Sequence, residues 1–258
     1  MLIANSQLLM AGLTVLTWNT GRMGEFKKPA KNEVLQYLLS QDADVVCLQE
    51  VDVYKDAKYL TLPEVKQTLS QKYPYSYLDF SIYDKRHQYG TMVWSKYPLI
   101  NKKSIQYETS GNLSNRCDIV VGKDTIRLFN NHLESYKFTS SDLESMDDME
   151  KKWRRAIPLR NKQAQVVRSH INASPYPVIV VGDFNSVALS FAYWYLSHGL
   201  HDAWNEIHLW EWGATYEYKG IGLRIDYILC SDPLRPISCT VPPAKGSDHK
   251  PVVATLEW

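Results

Sequence analysis

The length, composition and charge of the chain set the first limits on its fold and function. Its 258 residues are enough for one large domain or two small ones, and contents of 45% hydrophobic and 22% charged residues are ordinary for a soluble globular protein. A formal net charge of +1 excludes a global electrostatic attraction to nucleic acid or to an anionic membrane, so any polyanion must be bound by a local patch.

The N-terminal segment carries no recognisable targeting signal. It lacks a positively charged region followed by an apolar h-region, and the apolar stretch from Leu8 to Trp18 is too short to span a bilayer. We expect a tail over residues 1–12 and one domain over residues 13–258, with no transmembrane segment. We expect a cytoplasmic location, or an envelope-associated or exported one if an upstream segment has been removed.

Strand-like runs rich in β-branched and aromatic residues recur along the chain. In chain order they span residues 13–18, 45–49, 75–80, 90–94, 116–121, 125–131, 178–181, 224–230 and 252–256. Gly122-Lys123-Asp124 has the composition of a hairpin turn between two of them. Cys47 and Cys230 lie inside such runs and are predicted to be small buried hydrophobes, while the even count of four cysteines leaves one disulfide possible.

Helical patterns fall between these strands. Residues 32–40 place their apolar side chains on one face of a helix, and residues 62–72 repeat this pattern more weakly. The longest helical stretch spans residues 140–171, with Ser141 as its predicted N-cap and Pro158 predicted to break or kink it. With no repeat, low-complexity tract or linker, these elements predict one layered α/β or α+β domain in which two sheets pack together with helices outside.

Polar residues suited to catalysis follow several of the predicted strands. The apolar run 177–181 leads into Gly182-Asp183-Phe184-Asn185, which taken alone is as compatible with a turn as with an active site. So many polar strand ends in one domain are hard to explain as turns and caps, and they favour a catalytic site. Five other segments deliver acids, amides or imidazoles in this way: Asn19, Gln49-Glu50, His132, Asp226 and Asp248-His249.

These residue types fit metal-assisted attack of water on a phosphate ester. A hard cation such as Mg²⁺ binds carboxylate oxygens and keeps several waters, and an amide oxygen adds a ligand without adding charge. Hydrolysis of a phosphodiester also needs a base that orients water and a proton for the leaving oxygen, and two histidines can handle these protons. The residues therefore predict a metal-dependent phosphoesterase that uses Mg²⁺, with Mn²⁺ as the alternative.

Six motifs in chain order carry a resemblance to a known family. They are Thr17-Trp18-Asn19, Leu48-Gln49-Glu50-Val51, His132-Leu133-Glu134-Ser135, Gly182-Asp183-Phe184-Asn185, Arg224-Ile225-Asp226-Tyr227 and Ser247-Asp248-His249. This ordered set resembles the endonuclease/exonuclease/phosphatase superfamily, and the His132-Leu133-Glu134-Ser135 segment is similar to its tyrosyl-DNA phosphodiesterase branch. The resemblance implies an α/β fold, the DNase I-like four-layer sandwich of two packed mixed β-sheets flanked by helices.

The resemblance assigns metal-binding roles residue by residue. Glu50 would be the principal metal carboxylate, Asn19 would hold the metal or the phosphate, and Asp248 would assist the metal or its waters. Many relatives carry an acid two residues after the position of Asn19, where this chain has Gly21. This departure favours one metal held mainly by Glu50 over a carboxylate-rich site with two metals.

The same resemblance assigns the catalytic roles. Asp183 would orient and deprotonate the attacking water, and Asn185 would donate hydrogen bonds to the transition-state oxygens. His249 would contact the scissile phosphate while Asp226 fixes the orientation of its ring, as acids paired with imidazoles do. His132 would face the phosphate and serve the leaving group.

Two segments contain candidate substrate contacts. The basic segment 151–155, with Arg160 beyond it, can bind phosphates or form a solvated helix face, and we select Arg155 and Arg160 from it. The aromatic stretch between residues 204 and 218 can line a substrate groove or pack in a core, and we select Trp212 and Tyr216 from it.

The sequence thus predicts a hydrolase of phosphate esters. We expect a phosphodiesterase or nuclease that is a monomer and acts on a phosphate-ester substrate, with nucleic acid as a candidate. One alternative is a phosphatase of a lipid, inositol or small-metabolite phosphate. Another is a catalytically inactive binding module that keeps the fold.

Overall fold

Two six-stranded mixed β-sheets form the centre of the protein. The computed structural model describes residues 12–25, 27–107, 111–136, 146–218 and 220–258. The first sheet contains β1 (Gly12–Asn19), β2 (Val45–Tyr54), β3 (Tyr75–Tyr83), β4 (His87–Ser95), β13 (Arg235–Thr240) and β14 (Val252–Glu257). Its strand order is β13-β14-β1-β2-β4-β3. The second sheet contains β5 (Leu99–Gln106), β6 (Leu113–Val121), β7 (Asp124–His132), β8 (Val178–Asp183), β9 (His201–Asp202) and β12 (Asp226–Cys230). Its strand order is β5-β6-β7-β8-β12-β9.

Helices lie outside the two sheets. The described helices are α1 (Gly21–Glu25), α2 (Glu33–Ser40), α3 (Leu62–Leu69), α4 (Met146–Asn172), α5 (Phe191–Ser197) and α6 (Ala203–Ile207), with a 3₁₀ turn at Pro29–Lys31. A separate two-stranded hairpin joins β10 (Tyr216–Tyr218) to β11 (Ile221–Leu223). None of the helices in the described part of the chain combines the length and the apolar character needed to cross a bilayer.

The core has three apolar layers, because the central strands are covered on both faces. Val15 of β1 packs between the two sheets, whereas the next residue, Leu16, packs under α2 and α3. In the second sheet, Ile179 of β8 points to the inter-sheet layer, whereas Val180 packs against α4 and α5. This alternation has the two-residue period of a strand, and burial of both faces explains why these strands are continuous apolar runs in the sequence. The resulting order of layers is helix, sheet, sheet, helix.

Parallel strand pairs bring the polar strand ends together. In the first sheet β1 and β2 are parallel, and Asn19 lies opposite Gln49. In the second sheet β7 and β8 are parallel, and His132 lies opposite Asp183. The antiparallel strand β12 begins beside the end of β8, so that Asp226 lies opposite Asp183.

A buried polar contact joins the two sheets below these strand ends. Gln49 of β2 donates from Nε2 to Oδ1 of Asn130 in β7 at 2.7 Å. Asn130 in turn donates from Nδ2 to the carbonyls of Leu48 and Met92, at 3.2 and 3.3 Å. Asn130 is completely buried, so these partners replace the water that its amide loses on folding. The contact fixes how the first and second sheets sit relative to each other.

The predicted fold class is confirmed, as are all nine predicted strands, the hairpin turn at Gly122 and the burial of Cys47 and Cys230. The sequence patterns missed strands β5, β9 and β13 and the hairpin β10–β11. These strands lie at sheet edges or outside the sheets, where polar residues are tolerated and the apolar pattern is weak.

Of the break or kink expected at Pro158, the break is wrong, because α4 continues through this residue. A proline inside a helix removes one main-chain hydrogen bond, and here packing of the apolar face of α4 on the second sheet outweighs that loss. The predicted N-cap Ser141 lies outside the described residues, as do residues 1–11 of the expected tail, and Gly12 is the first residue of β1.

We expect the substitution Asn130→Ala to destabilise the protein strongly. It removes three buried hydrogen bonds, including the one that joins Gln49 to the second sheet, which corresponds to about 2–4 kcal/mol of unfolding free energy. Urea denaturation followed by circular dichroism measures this change. The exposed residue Gln71 provides a control, and a loss from Gln71→Ala equal to that from Asn130→Ala would contradict the assigned role.

Candidate active site

Asp183 lies at the centre of a group of polar side chains from both sheets. Its Oδ2 accepts hydrogen bonds from Asn19 Nδ2 at 2.9 Å and from Asn185 Nδ2 at 3.2 Å. Its Oδ1 accepts the backbone NH of Asn185 at 2.7 Å. The contact with Asn19 crosses from the second sheet to the first. Three donors therefore hold the Asp183 carboxylate in one orientation.

The surroundings of Asp183 shift its protonation equilibrium. Burial and the nearby charge of Asp226 raise the pKa of Asp183 to about 6, although His249, His132 and Asn19 oppose the shift. The group is therefore ionised at neutral pH but accepts a proton more readily than an ordinary aspartate. A buried carboxylate of this kind is suited to general base catalysis.

His249 and Asp226 form a buried acid–imidazole pair. His249 Nδ1 donates to Asp226 Oδ2 at 2.9 Å, and His249 Nε2 lies 3.9 Å from Asp183 Oδ2. Trp18 Nε1 donates to the His249 carbonyl at 2.9 Å, and the Tyr216 ring packs against the imidazole with 4.8 Å between ring centres. These contacts fix both the backbone and the ring of His249, leaving Nε2 as the nitrogen available for a substrate.

The acid partners keep His249 protonated. Burial disfavours the imidazolium, but the charges of Asp226 and Asp183 and the hydrogen bond to Asp226 outweigh this effect and raise the pKa of His249 to about 10. At neutral pH both ring nitrogens therefore carry protons, and Nε2 is a charged hydrogen-bond donor.

His132 and Glu50 face each other across the two sheets. His132 Nε2 lies 3.4 Å from Glu50 Oε1 and 3.9 Å from Asp183 Oδ2. This buried nitrogen has no hydrogen-bond partner among the described residues. Glu50 occupies an irregularity of β2 between Leu48 and Val51 and has a positive φ of 50°. The irregularity turns the Glu50 side chain towards the site, as β-bulges do near active sites.

Unlike the buried Asp183, the carboxylates of Glu50 and Asp248 are open to solvent. Both line a cleft of about 440 Å³, here called the main cleft, and both line an adjoining cavity of about 520 Å³, here called the side cavity. Two carboxylates beside solvent-filled space are a donor set that fits a hard divalent cation, which retains several waters. The residues present therefore fit the metal that the sequence predicts.

The other predicted metal ligand, Asn19, is oriented differently from the expectation. Its Nδ2 faces the carboxylates of Glu50 and Asp183, at 3.2 and 2.9 Å, while its Oδ1 accepts the backbone NH of Gly21 at 3.1 Å. In this arrangement Asn19 positions the two acids, and its oxygen is not presented to a cation beside Glu50.

A second group of possible metal ligands lies deeper in the site. Ligand atoms of Asp183, Asp226 and His249 lie within 4.8 Å of one another, and all three residues are buried. The hydrogen bond between Asp226 and His249 already uses one atom of each residue. Asp226 Oδ1 has no partner in the described part of the chain, so this group is the competing location for a cation.

The structure divides the predicted site residues into two sets. Glu50, Asp183, Asn185, Asp248 and His249 line the main cleft. The residues Asn19, His132 and Asp226 are buried beside these five and contact them, but do not line the cleft.

The structure also separates the four candidate substrate contacts. Arg160 and Tyr216 line the main cleft. Arg155 is exposed on α4, and Trp212 is exposed, with its indole NH donating to the Gly222 carbonyl at 2.7 Å. Arg155 and Trp212 do not line the cleft, so the structure does not bring them into the site.

Sequence reasoning did not select several cleft residues. Ser186 directly follows the Gly182-Asp183-Phe184-Asn185 motif, so its position next to the motif was the available signal. Ser135 and Ile225 lie within two of the other motifs, and Tyr218 and Leu223 lie in the hairpin β10–β11. The other residues come from loops whose approach depends on the tertiary fold. The cleft residues not selected are Ser135, Tyr136, Ser186, Val187, Ser190, Tyr218, Leu223 and Ile225.

Comparison with known families identifies the fold and the family together. The family model described as Endonuclease/Exonuclease/phosphatase family matches residues 16–249. The chain belongs to this family. Its members are generally phosphoesterases and nucleases. A search of curated protein sequences gives no significant match.

Similar solved structures share the DNase I-like fold. An endonuclease/exonuclease/phosphatase from Beutenbergia cavernae has a TM-score of 0.73 and 18% identity, with 95% of this chain and 71% of that chain covered. A truncated TDP2 from Caenorhabditis elegans has a TM-score of 0.69 and 21% identity, with 96% and 98% covered. TDP2 from D. rerio, solved in complex with a single-strand DNA product, has a TM-score of 0.70 and 19% identity, with 95% and 99% covered.

The Asp226–His249 pair gives a direct spectroscopic prediction. In metal-free protein the imidazolium of His249 should titrate at about pH 10, and Asp226→Asn should lower this pKa because it removes the nearest negative charge. Nitrogen-15 NMR of the histidine side chains measures both values. A His249 resonance that titrates at the same pH in the wild-type protein and in Asp226→Asn would contradict the assigned electrostatics.

Proposed function

We propose that this protein is a divalent-metal-dependent phosphodiesterase in which Asp183 activates the attacking water. The observation that supports this most directly is the buried Asp183 carboxylate, oriented by Asn19 and Asn185 and flanked by two imidazoles at 3.9 Å. Such a group can accept a proton from a water in the main cleft. The burial that raises the Asp183 pKa also makes this proton transfer easier than it is for an exposed aspartate.

The other residues of the cleft handle the charge of the phosphate. His249 donates from Nε2 to a non-bridging oxygen, and Asp226 holds the ring in place for this contact. The backbone of Asn185 has a positive φ of 49°. This conformation places the side-chain amide of Asn185 in the cleft wall beside Asp183. Charged and polar donors fixed in advance stabilise the developing charge at little reorganisation cost.

His132 and Glu50 complete the proposed site. Glu50 and Asp248 would hold the divalent cation, which when bound supplies positive charge to the phosphate oxygens. His132 is the candidate proton donor to the leaving oxygen, because its Nε2 has no hydrogen-bond partner among the residues described and lies between Glu50 and Asp183. All these groups are present, which favours an enzyme over an inactive binding module.

The shape and lining of the main cleft favour a diester over a monoester. One part of its wall is aromatic and apolar, formed by Tyr216, Tyr218 and Leu223. Another part carries Arg160 and Ser186. A phosphodiester has an organic group on each side of phosphorus, and nucleic acid combines bases that stack on aromatic rings with further phosphates. The DNA product bound to D. rerio TDP2 also makes nucleic acid the first substrate to test.

Substitution of the proposed base should abolish turnover without unfolding the protein. Asp183→Asn keeps the size of the side chain but removes its basicity, and we expect kcat to fall by about 100- to 10,000-fold. The measurement is hydrolysis of bis(p-nitrophenyl) phosphate with Mg²⁺ or Mn²⁺. Asp56→Asn removes an exposed carboxylate in a turn and serves as the control. Full activity in Asp183→Asn, or an inactive wild-type protein with both metals, would contradict the proposal.

The location of the metal can be tested separately from turnover. If Glu50 and Asp248 hold the cation, Glu50→Gln and Asp248→Asn should each weaken Mn²⁺ binding in titration calorimetry, whereas Asp226→Asn should leave it within a few-fold of wild type. The opposite pattern would place the cation in the buried group of Asp183, Asp226 and His249.

A further inference from the structure

Arg160 is a buried cation in the wall of the main cleft. It lies on α4, and only 2% of its surface is exposed. Its Nε donates to the Glu134 carbonyl at 2.8 Å, and its Nη1 donates to the Tyr136 hydroxyl at 3.0 Å and to Ser186 Oγ at 3.3 Å. Its Nη2 is buried and has no hydrogen-bond partner in the part of the chain that the structure describes. Among the described residues, Nε and Nη1 of the Arg160 guanidinium therefore have acceptors, and Nη2 has none.

Among the described residues, no acid compensates the charge of Arg160. In the described part of the chain there are two other buried arginines, and each has a carboxylate: Arg127 pairs with Asp118 at 2.6 Å and Arg224 with Asp202 at 2.9 Å. Arg160 has only neutral partners among the described residues. Because a guanidinium remains protonated and a buried charge without a counter-ion is unfavourable, this environment favours an anionic ligand.

The position of Arg160 separates it from the proposed metal ligands. Glu50 and Asp248 line both the main cleft and the side cavity, so they lie where the two meet, whereas Arg160 lines the main cleft alone. Arg160 is also tied to Ser186, which follows Asn185 in the chain. An anion bound by Arg160 would therefore lie in the main cleft, beside the segment that carries Asn185 and Ser186, and not in the side cavity.

We propose that Arg160 binds a second, non-scissile phosphate of the substrate. The inference rests on the proposed function for the first phosphate. A guanidinium matches a phosphate in geometry and charge, and the ring of Tyr136, 4.3 Å from the Arg160 guanidinium carbon, supports its plane. Two kinds of substrate share this chemistry, a polynucleotide strand and a small polyol carrying two phosphates.

Binding measurements with matched ligands test the assignment without requiring turnover. Titration calorimetry would compare thymidine 3′,5′-bisphosphate with thymidine 5′-monophosphate, and inositol 1,4-bisphosphate with inositol 1-phosphate. We expect one of the bisphosphates to bind the wild-type protein about 10- to 100-fold more tightly than its monophosphate, as a charge-assisted hydrogen bond implies. The pair that shows the preference identifies the nucleotide or the polyol as the source.

Variants of Arg160 decide whether this residue causes the preference. Arg160→Gln should abolish it, Arg160→Lys should keep part of it, and the control Lys123→Gln should leave it unchanged, because Lys123 is an exposed cation in the turn between β6 and β7. Circular dichroism checks that each variant is folded. The assignment is overturned if neither bisphosphate is preferred, if the preference survives in Arg160→Gln, or if both ligands weaken equally. Lack of diester hydrolysis with an intact preference would contradict only the proposed function.

Discussion

Burial of the Asp183 carboxylate where the two sheets meet determines how the rest of the site is arranged. A carboxylate without water needs donors, and those donors come from both sheets: Asn19 ends a strand of the first, and Asn185 follows a strand of the second. The side chain thus links the halves of the sandwich at the point where chemistry is proposed. The nearby hydrogen bond between Gln49 and Asn130 also links the two sheets, deeper in the core.

The backbone is strained at the residues that direct these side chains. Glu50 and Asn185 both have positive φ values, 50° and 49°, which are unfavourable for residues with a Cβ. Gly182 has a φ of 124°, and a Cβ at this position would lie 2.0 Å from the carbonyl oxygen of Asn131 on the neighbouring strand. Only glycine permits β7 and β8 to approach this closely. Strain of this kind persists where surrounding packing holds it, and it is concentrated at functional sites.

Gly21 lies at a position where an acidic side chain would add negative charge to the site, and glycine adds none. It has a φ of 50°, and a Cβ there would lie 3.1 Å from Ser247 Oγ and 3.4 Å from Asp248 Oδ1. A longer acidic side chain would therefore crowd the segment that carries Asp248. Without a side chain at residue 21, Glu50 and Asp248 are the carboxylates that line both the main cleft and the side cavity.

Most of the fold and the centre of the site could be predicted from the sequence, because both depend on strongly patterned strands. Strands buried on two faces are uniformly apolar, and polar residues at their ends stand out. The candidate substrate contacts were harder to predict. Arg155 and Arg160 belong to the same basic stretch, but five helical residues rotate the side chain by about 140°. Only Arg160 falls on the buried stripe of α4 that includes Ala156, Gln163, Ala164, Val167 and Ile171.

The two parts of the main cleft have opposite unbalanced charges, and this constrains the ligand more than any single contact does. The pair of Asp226 and His249 balances itself through its hydrogen bond. Arg22 and Lys27 also line the side cavity, but they pair with Asp52 and Glu33, so a cation can still neutralise the carboxylates of Glu50 and Asp248. Arg160 adds a positive charge that no acid in the described part of the chain balances. A ligand with one phosphate near the cation and another near Arg160 would satisfy both regions at once, whereas a neutral or monoanionic ligand would leave one of them uncompensated.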